Sequence, residues 1–439
     1  MKRKVFSFKG GIHPTYYKEF TKEKEIEKIE APSIMEIPLV QHIGAPAESL
    51  VKAGDVVKMG QMIGACSGVV SSNVHASVSG KVLAVAPRMQ AVGMVQTVVI
   101  ENDGKDERDS GIQSVTSIDR LTTDQIISLI KDAGIVGMGG ATFPTHVKLN
   151  PPKEHRIDTL IINGAECEPY LTSDYRLMVE TPEDIVNGGR VLIKVLGISK
   201  AYIGIEDNKP EAIEAIEQII QNDETMEVVA LKTKYPQGGE KQLIKAVTSR
   251  EVPSGKLPSS IGCVVINAGT VAAICKAIIS GMPLIERVVT VTGAGIKNPK
   301  NLLVRLGTPI KQVIEKCGGL TPECKELISG GPMMGITQYT LDNSVTKGTS
   351  GILAIQGKDA PVGKESACIK CARCIDVCPM GLMPLKILQG IKGGHEDEAM
   401  EFSIMDCIEC GCCSFICPAK RPILQYIRTG KAKMRLKRN

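Results

Sequence analysis

Apolar positions between residues 120 and 330 follow two alternating rhythms. Ala212, Ile213, Ile216, Ile219 and Ile220 fall on one face of a helix over 210–220. The short apolar runs 160–162, 201–205 and 228–231 read as buried strands. Between them, Thr123 stands ready to cap a helix over 124–133, and Thr181-Pro182-Glu183-Asp184 opens another, with Pro at its first position and acids in its first turn. A further helix is expected over 239–247. Alternation of this kind predicts an α/β domain with much parallel sheet.

The flanks carry other patterns. Residues 38–87 read as many short strands separated by turn glycines. A strand is expected over 288–291, followed by a helix that Thr308-Pro309 caps and that runs to Cys317. Near the end, 383–391 reads as a helix broken by Gly393-Gly394. The charge-free stretches 59–80 and 257–275 carry Gly, Ser and Asn, and the second has Pro258. Neither is the continuous apolar run of ~18 residues that a membrane span needs. Lys2, Arg3 and Lys4 precede no apolar segment, so no secretory signal and a cytoplasmic protein are expected.

Composition narrows the classes. The chain has 439 residues, 43% hydrophobic and 23% charged, which suits a folded protein of about three domains. Six Phe, eight Tyr and no Trp argue against a nucleic-acid binder built on aromatic stacking.

The 15 cysteines change the picture, because nine of them fall between Cys368 and Cys417. Two blocks repeat the spacing C-x2-C-x2-C-x3-C-P: Cys368, Cys371, Cys374, Cys378, then Cys407, Cys410, Cys413, Cys417. In two-cluster bacterial ferredoxins the fourth Cys of each such block ligates the other cluster. Two [4Fe–4S] clusters are therefore expected, one on Cys368, Cys371, Cys374 and Cys417, the other on Cys407, Cys410, Cys413 and Cys378. Zinc is the alternative for C-x2-C pairs, but two zinc sites need neither the third nor the fourth Cys of each block. Cys412, Cys66, Cys167, Cys263, Cys275, Cys317 and Cys324 read as small core residues.

Two loops of the α/β segment carry candidate chemistry. Gly137-Met138-Gly139-Gly140-Ala141-Thr142-Phe143-Pro144-Thr145 lets backbone N–H groups approach a phosphate or a flat ring, although a plain tight turn has the same composition. Asn163-Gly164-Ala165-Glu166-Cys167-Glu168-Pro169 places two acids past a strand's C-terminal end, where ribose contacts or solvated loop acids are the two readings.

These two loops, with Lys148, resemble the NADH-binding flavoprotein subunit of respiratory complex I, which carries G-R-G-G-A-G-F-P-T and N-A-D-E-G-E-P. Closer still is the family of the C component of Rnf complexes, the ferredoxin:NAD oxidoreductases that pump Na+ or H+. That resemblance extends to Phe-Lys-Gly-Gly-Ile-His-Pro at 8–14 and to the two cysteine blocks. It implies that Gly137, Gly139, Gly140, Lys148, Asn163 and Asn267 hold flavin mononucleotide (FMN). It implies further that Phe143 and Glu168 line the NADH face, with Glu166 sitting between the two, and that Glu240 belongs to the family's G-E-E element. The chain departs from the pattern at Met138 (Arg in the family), Ala165 (Asp) and Lys241 (the second Glu, which holds the adenosine ribose).

The expected architecture is thus α/β with four parts. Residues 1–115 hold a lipoyl-like barrel-sandwich module, 116–285 the flavin/NADH-binding domain, 286–355 a soluble-ligand-binding β-grasp module, and 356–425 a ferredoxin-like α-helical domain, with a basic tail over 426–439. Val-Lys-Ala-Gly-Asp-Val-Val-Lys-Met-Gly-Gln at 51–61 and Ser-Val-Ser-Gly-Lys-Val at 77–82 resemble the halves of a carrier sandwich. No lysine stands between Lys58 and Lys81, so a swinging arm is not expected, and His75 and His13 read as packing or surface residues. The net charge of +5 equals that of the last nine residues, with Lys431, Lys433, Arg435, Lys437 and Arg438. Such a tail suits an anionic membrane surface; no nucleic-acid recognition motif accompanies it.

The resemblance implies an NAD-linked oxidoreductase subunit of a translocase. It would be peripheral at the cytoplasmic face of the membrane, relaying electrons among NAD(H), FMN and two clusters. Its implied partners are other Rnf subunits, membrane-embedded ones among them, and an iron–sulfur subunit that accepts electrons from ferredoxin. A soluble flavin/iron–sulfur reductase, such as a cobalamin reductase, and a cluster-only electron-transfer adaptor are the alternatives.

Overall fold

The computed structural model describes residues 3–91, 93–115, 117–357 and 363–438. Lys2, Asn439 and Thr116, the first residue of the expected second segment, lie outside the described residues, as does the side chain of Arg438.

The α/β segment forms a four-stranded parallel sheet in the order Met226–Leu231, Ala201–Glu206, Thr159–Gly164, Cys263–Asn267. Its strands are apolar runs because helices cover both faces; Leu160, Ile161 and Ile162 are fully buried. The helix Thr123–Asp132 starts one residue earlier than expected. Thr122, not Thr123, accepts from the Gln125 N–H, and Gln125 returns a bond to the Thr122 N–H. The strand order reverses between the first and last strands in sequence, and there Asn163 and Asn267 lie side by side in register. Open α/β sheets bind ligands at such a switch point.

The N-terminal module packs a four-stranded sheet on a three-stranded one, around Met35, Ile37, Ile63, Val74, Val82, Val98 and Ile100. His75 is buried and His13 exposed, as packing and surface residues are. The β-grasp region is a six-stranded sheet with the helix Ile310–Lys316. Its edge strand, Ile26–Lys28, comes from the chain's beginning and pairs with Lys300–Arg305. Lys347, fully buried, joins this region to the rest: its Nζ donates to the carbonyls of Asn73 at 2.5 Å and Gly134 at 2.7 Å.

The C-terminal domain is helical. Between the two cysteine blocks, the acidic residues from Glu396 form the short helix Glu396–Glu401. The basic end, expected as a tail over 426–439, lies in the helix Ile423–Arg438 instead. Ile423, Ile427 and Met434 recur at helical spacing and pack into the domain core. Lys431 is buried there, its Nζ 2.8 Å from the Cys407 carbonyl and 2.7 Å from Glu409.

The motif at 8–14 is a strap between the α/β and C-terminal domains. Ile12 exchanges two backbone hydrogen bonds with Tyr235, and the Gly11 N–H donates to the Val377 carbonyl at 2.9 Å. Gly10 and Gly11 have φ of +85° and +78°. A Cβ on Gly11 would lie 2.5 Å from the Tyr235 carbonyl oxygen, and one on Gly10 3.0 Å from that of Cys378. Gly11→Ala is expected to cost about 1–2 kcal/mol for the backbone conformation alone, with the clash in addition. A thermal melt should show a midpoint several degrees lower; an unchanged midpoint would mean that the strap does not hold the domains together.

Candidate functional site

The glycine loop follows the helix Thr123–Asp132 and closes on itself, the Gly137 N–H donating to the Phe143 carbonyl at 2.9 Å. The Met138 N–H donates to Thr270 Oγ1 at 2.8 Å, and its side chain is buried in the core. An apolar residue therefore fits this departure from the family pattern. Gly139 backs onto Asn267, where a Cβ would lie 2.7 Å from the amide nitrogen. Over Gly140 space is open: an added Cβ would meet nothing within 4 Å.

Asn267 caps the helix Ala268–Ser280 by accepting from the Thr270 N–H, and its Nδ2 donates to Asp174 at 2.6 Å. Asn163 donates to the Gly238 carbonyl at 2.9 Å. Lys148 and Glu240 form an ion pair at 2.5 Å across the opening. All ten expected contacts, Gly137, Gly139, Gly140, Phe143, Lys148, Asn163, Glu166, Glu168, Glu240 and Asn267, line one cavity of about 480 Å3. That lies within the ~300–1,000 Å3 typical of small-molecule sites.

The two acids are less free than the sequence suggests. Glu166 accepts from the N–H groups of Asp174 at 2.7 Å and Tyr175 at 3.3 Å, at the start of the helix Ser173–Glu180. Lys18, buried beneath, donates to the carbonyls of Glu166, Glu168 and Leu171. Glu168 accepts from the N–H groups of Met333 and Met334, so it ties the cavity to the β-grasp region. Lys241 stands half-buried in the cavity wall.

Burial pushes the Glu168 carboxyl up from 4.5 to about 7, against the pull of the two N–H donors. Between those values the folded chain holds a proton that the unfolded chain has released, so this group lowers stability as pH rises through the window. Glu168→Gln keeps the acceptor oxygen and removes the titration. Between about pH 5 and about pH 7 the wild type should lose several degrees more of thermal midpoint than the variant. Equal slopes would show that Glu168 does not titrate there.

Sequence reasoning missed Asp174. It lines the cavity half-buried, and burial, then the nearby Glu166 charge, raises its carboxyl to about 6. Nothing in Ser-Asp-Tyr-Arg signals this; it appears only when the sheet brings Asn267 beside it. Cys167, read as a core residue, is buried but in the cavity wall, its Sγ accepting from the Gly238 N–H at 3.2 Å. Cys263, Cys275, Cys317 and Cys412 are buried, and Cys66 and Cys324 half-buried.

The cysteine blocks ring two hollows. Cys368, Cys371, Cys374 and Cys417 line one of about 140 Å3. Cys378, Cys407, Cys410 and Cys413 line a smaller one of about 20 Å3, with Cys412 beside them. Each set thus takes one Cys from the other block, the grouping that two cubane clusters need. Backbone N–H groups of Lys370, Leu382 and Glu409 donate to the sulfurs of Cys368, Cys378 and Cys407, each at 3.4 Å. Such N–H···S bonds are a lever on cluster potential. Cys410 lines both the smaller hollow and the 480 Å3 cavity. Its carbonyl accepts from the Tyr235 hydroxyl at 2.9 Å.

Four family models match the chain: a RnfC barrel sandwich hybrid domain over 6–105, a Nuo51 FMN-binding domain over 130–276, a SLBB domain over 288–337 and a 4Fe-4S dicluster domain over 367–420. They agree with the expected and observed α/β architecture. The C component of the proton-translocating ferredoxin:NAD(+) oxidoreductase complex of Clostridium ljungdahlii is 50% identical over 98% of this chain and 94% of its own. Its counterpart in the Na(+)-translocating complex of Acetobacterium woodii is 49% identical over 98% and 97%. The C component of the ion-translocating oxidoreductase complex of Rhodobacter capsulatus is 43% identical over 98% and 83%. Among solved structures, a NAD+-reducing [NiFe]-hydrogenase in the H2-reduced state shares the fold, with a TM-score of 0.50 at 17% identity over 73% of this chain and 63% of that one.

Proposed function

The chain belongs to the RnfC family, the C components of ion-translocating ferredoxin:NAD(+) oxidoreductase complexes, and from that membership we propose how its residues serve an NAD-linked electron relay. FMN bound in the cavity would exchange a hydride with NAD(H), and two [4Fe–4S] clusters would carry its electrons singly.

Gly137, Gly139 and Gly140 bring backbone close to the flavin, and Gly140 leaves the open cradle. Asn163 and Asn267 hold the cavity floor at the sheet's switch point. Lys148 sits at the opening, where its ammonium meets phosphate charge and Glu240 holds it in place. Phe143 and the Glu166–Glu168 loop wall the NAD(H) side, with the two carboxylates fixing the loop rather than reaching outward. Lys241 stands where the family has an acid, and its cation suits a phosphate. Cys407, Cys410, Cys413 and Cys378 take the cluster next to the cavity; Cys368, Cys371, Cys374 and Cys417 take the outer one.

The observation that carries this reading is the position of Cys410. One ligand peptide is shared by the cavity wall and the inner hollow, so the order along the molecule is cavity, inner cluster, outer cluster, partner.

No helix among the described residues is long and apolar enough to cross a membrane. We place the chain on the cytoplasmic face, against membrane-embedded subunits that move Na+ or H+, and beside an iron–sulfur subunit that takes electrons from ferredoxin. Lys433, Arg435 and Lys437, exposed on the last helix, are the part of the basic end that could meet anionic lipid.

The test is anaerobic purification, an assay of iron and released flavin, and addition of NADH followed by absorbance and EPR. Bleached flavin together with reduced-cluster signals is expected. About eight irons with no flavin after added FMN, and no response to NADH, would leave a cluster-only adaptor.

A further inference from the structure

The α/β domain does not wall the 480 Å3 cavity alone. Met334 lines it too, and Met334 belongs to the β-grasp region. The strands Cys324–Ser329 and Ile336–Gln338 pair antiparallel, with Ser329 opposite Ile336. Between them, Gly330-Gly331-Pro332-Met333-Met334-Gly335 makes the hairpin turn.

That turn is held from three directions. On its own sheet, the Gly330 N–H donates to the Gly351 carbonyl at 2.7 Å and the Gly335 N–H to the Gly331 carbonyl at 2.9 Å. Toward the α/β domain, Glu168 accepts from the N–H groups of Met333 at 3.2 Å and Met334 at 2.9 Å. Gly331 approaches so closely that a Cβ there would lie 2.2 Å from a Glu168 carboxylate oxygen. Toward the C-terminal domain, Met333 packs against the cluster of Tyr235 and Cys410, and a Cβ on Gly411 would lie 3.2 Å from its carbonyl oxygen. Charge-assisted bonds to consecutive N–H groups fix the backbone strongly. The Met334 side chain is the part left over, 46% exposed at the cavity wall. An apolar side chain placed so on a fixed turn gains burial when the cavity is filled, and little of its ordering cost remains to be met.

The place of the turn along the cavity says what fills that space. It adjoins Gly411, next to Cys410, on the side where the relay's electrons leave, whereas the Lys148–Glu240 pair stands across the opening. The reacting half of a dinucleotide therefore comes to the Met334 side, and its phosphates stay by Lys148. Resting on the relay proposed above, we propose that Met334 is a nicotinamide-binding residue, its side chain covering the nicotinamide ring of NAD(H). The β-grasp region then supplies one wall of the dinucleotide site. A flexible, polarizable thioether suits a flat ring. Glu168 acts through Met334 as a positioning residue, since its carboxylate holds the turn in place.

The probes are NAD+ and ADP-ribose, which lacks the nicotinamide. Each is titrated calorimetrically into the full-length chain, loaded with FMN and clusters, oxidised and kept anaerobic. Met334→Ala should bind NAD+ at least about fivefold more weakly, the scale of a lost sulfur–ring contact. Its affinity for ADP-ribose, its FMN content and its iron content should match the wild type. Met334→Leu keeps the apolar bulk and should bring NAD+ binding back to within about twofold. Gly331→Ala pushes the turn away from Glu168 while leaving Met334 in the sequence, and should weaken NAD+ in the same direction. Tyr339→Ala, 73% exposed beyond the strand Ile336–Gln338, should change nothing. Unchanged NAD+ affinity in Met334→Ala would overturn the proposal. So would an equal loss for ADP-ribose, which would set Met334 against the adenosine half, or a loss of FMN, which would set it against the flavin. A wild type that binds neither probe would sink the relay reading itself, and this proposal with it.

Discussion

Cys410→Ser is expected to divide the molecule's redox behaviour at one point. The purified variant should carry about four irons instead of about eight, because the inner set loses a ligand and the outer set does not. FMN should still bind and NADH should still bleach it, since Cys410 reaches the cavity only at its wall. The EPR signal of the outer cluster should then fail to appear on the timescale seen in the wild type. Cys412→Ser is the matched control. Its sulfur is buried in the same region and points toward the Tyr235 carbonyl, 3.9 Å away, so it should keep about eight irons and the full response. Equal iron loss in both variants would move the ligand assignment from spacing to proximity. Normal outer-cluster reduction in Cys410→Ser would break the proposed order of centres.

The glycine loop gives the second large effect, and two neighbouring substitutions separate its causes. At Gly139 a Cβ meets the Asn267 amide, and that amide cannot retreat, being held by Asp174 while it caps a helix. Gly139→Ala should therefore both destabilise the fold and displace the loop into the cavity. At Gly140 the added methyl meets no protein atom within 4 Å. Gly140→Ala should melt as the wild type does, yet bind FMN at least about tenfold more weakly, a loss of about 1.4 kcal/mol or more. Flavin fluorescence titration beside a thermal melt reads both quantities. Undiminished FMN affinity in Gly140→Ala would remove the flavin from this loop.

What is legible in the sequence follows from how local the signal is. The cysteine spacing specifies two cubanes because each thiolate's place is fixed within a few residues, and the helices and strands of the α/β domain announce themselves through apolar periodicity. The strand order and the meeting of Asn163 with Asn267 are products of pairing across a hundred residues, which periodicity does not encode. Asp174 and the buried cations Lys18 and Lys347 are invisible in the sequence for that reason: each is satisfied by carbonyls or amides from distant segments. The basic end reads as a tail because its charge density outweighs the sparse apolar residues Ile423, Ile427 and Met434 that seat it as a helix. The acids Glu166 and Glu168 stand out in the sequence, but what their carboxylates hold becomes visible only with the folded backbone.

The strap at 8–14 also sets an order for the molecule's manufacture. It leaves the ribosome well before its partners Tyr235 and Val377. Contacts across so long a stretch close late, since loop entropy must be met before they form. The cysteine loops are therefore expected to remain open to the iron-delivery machinery during synthesis. Once the strap closes, Cys410 lies buried in one cluster with Ile12 and Tyr235. On this account, a nascent chain that folded faster than it was supplied with iron would seal its inner site empty.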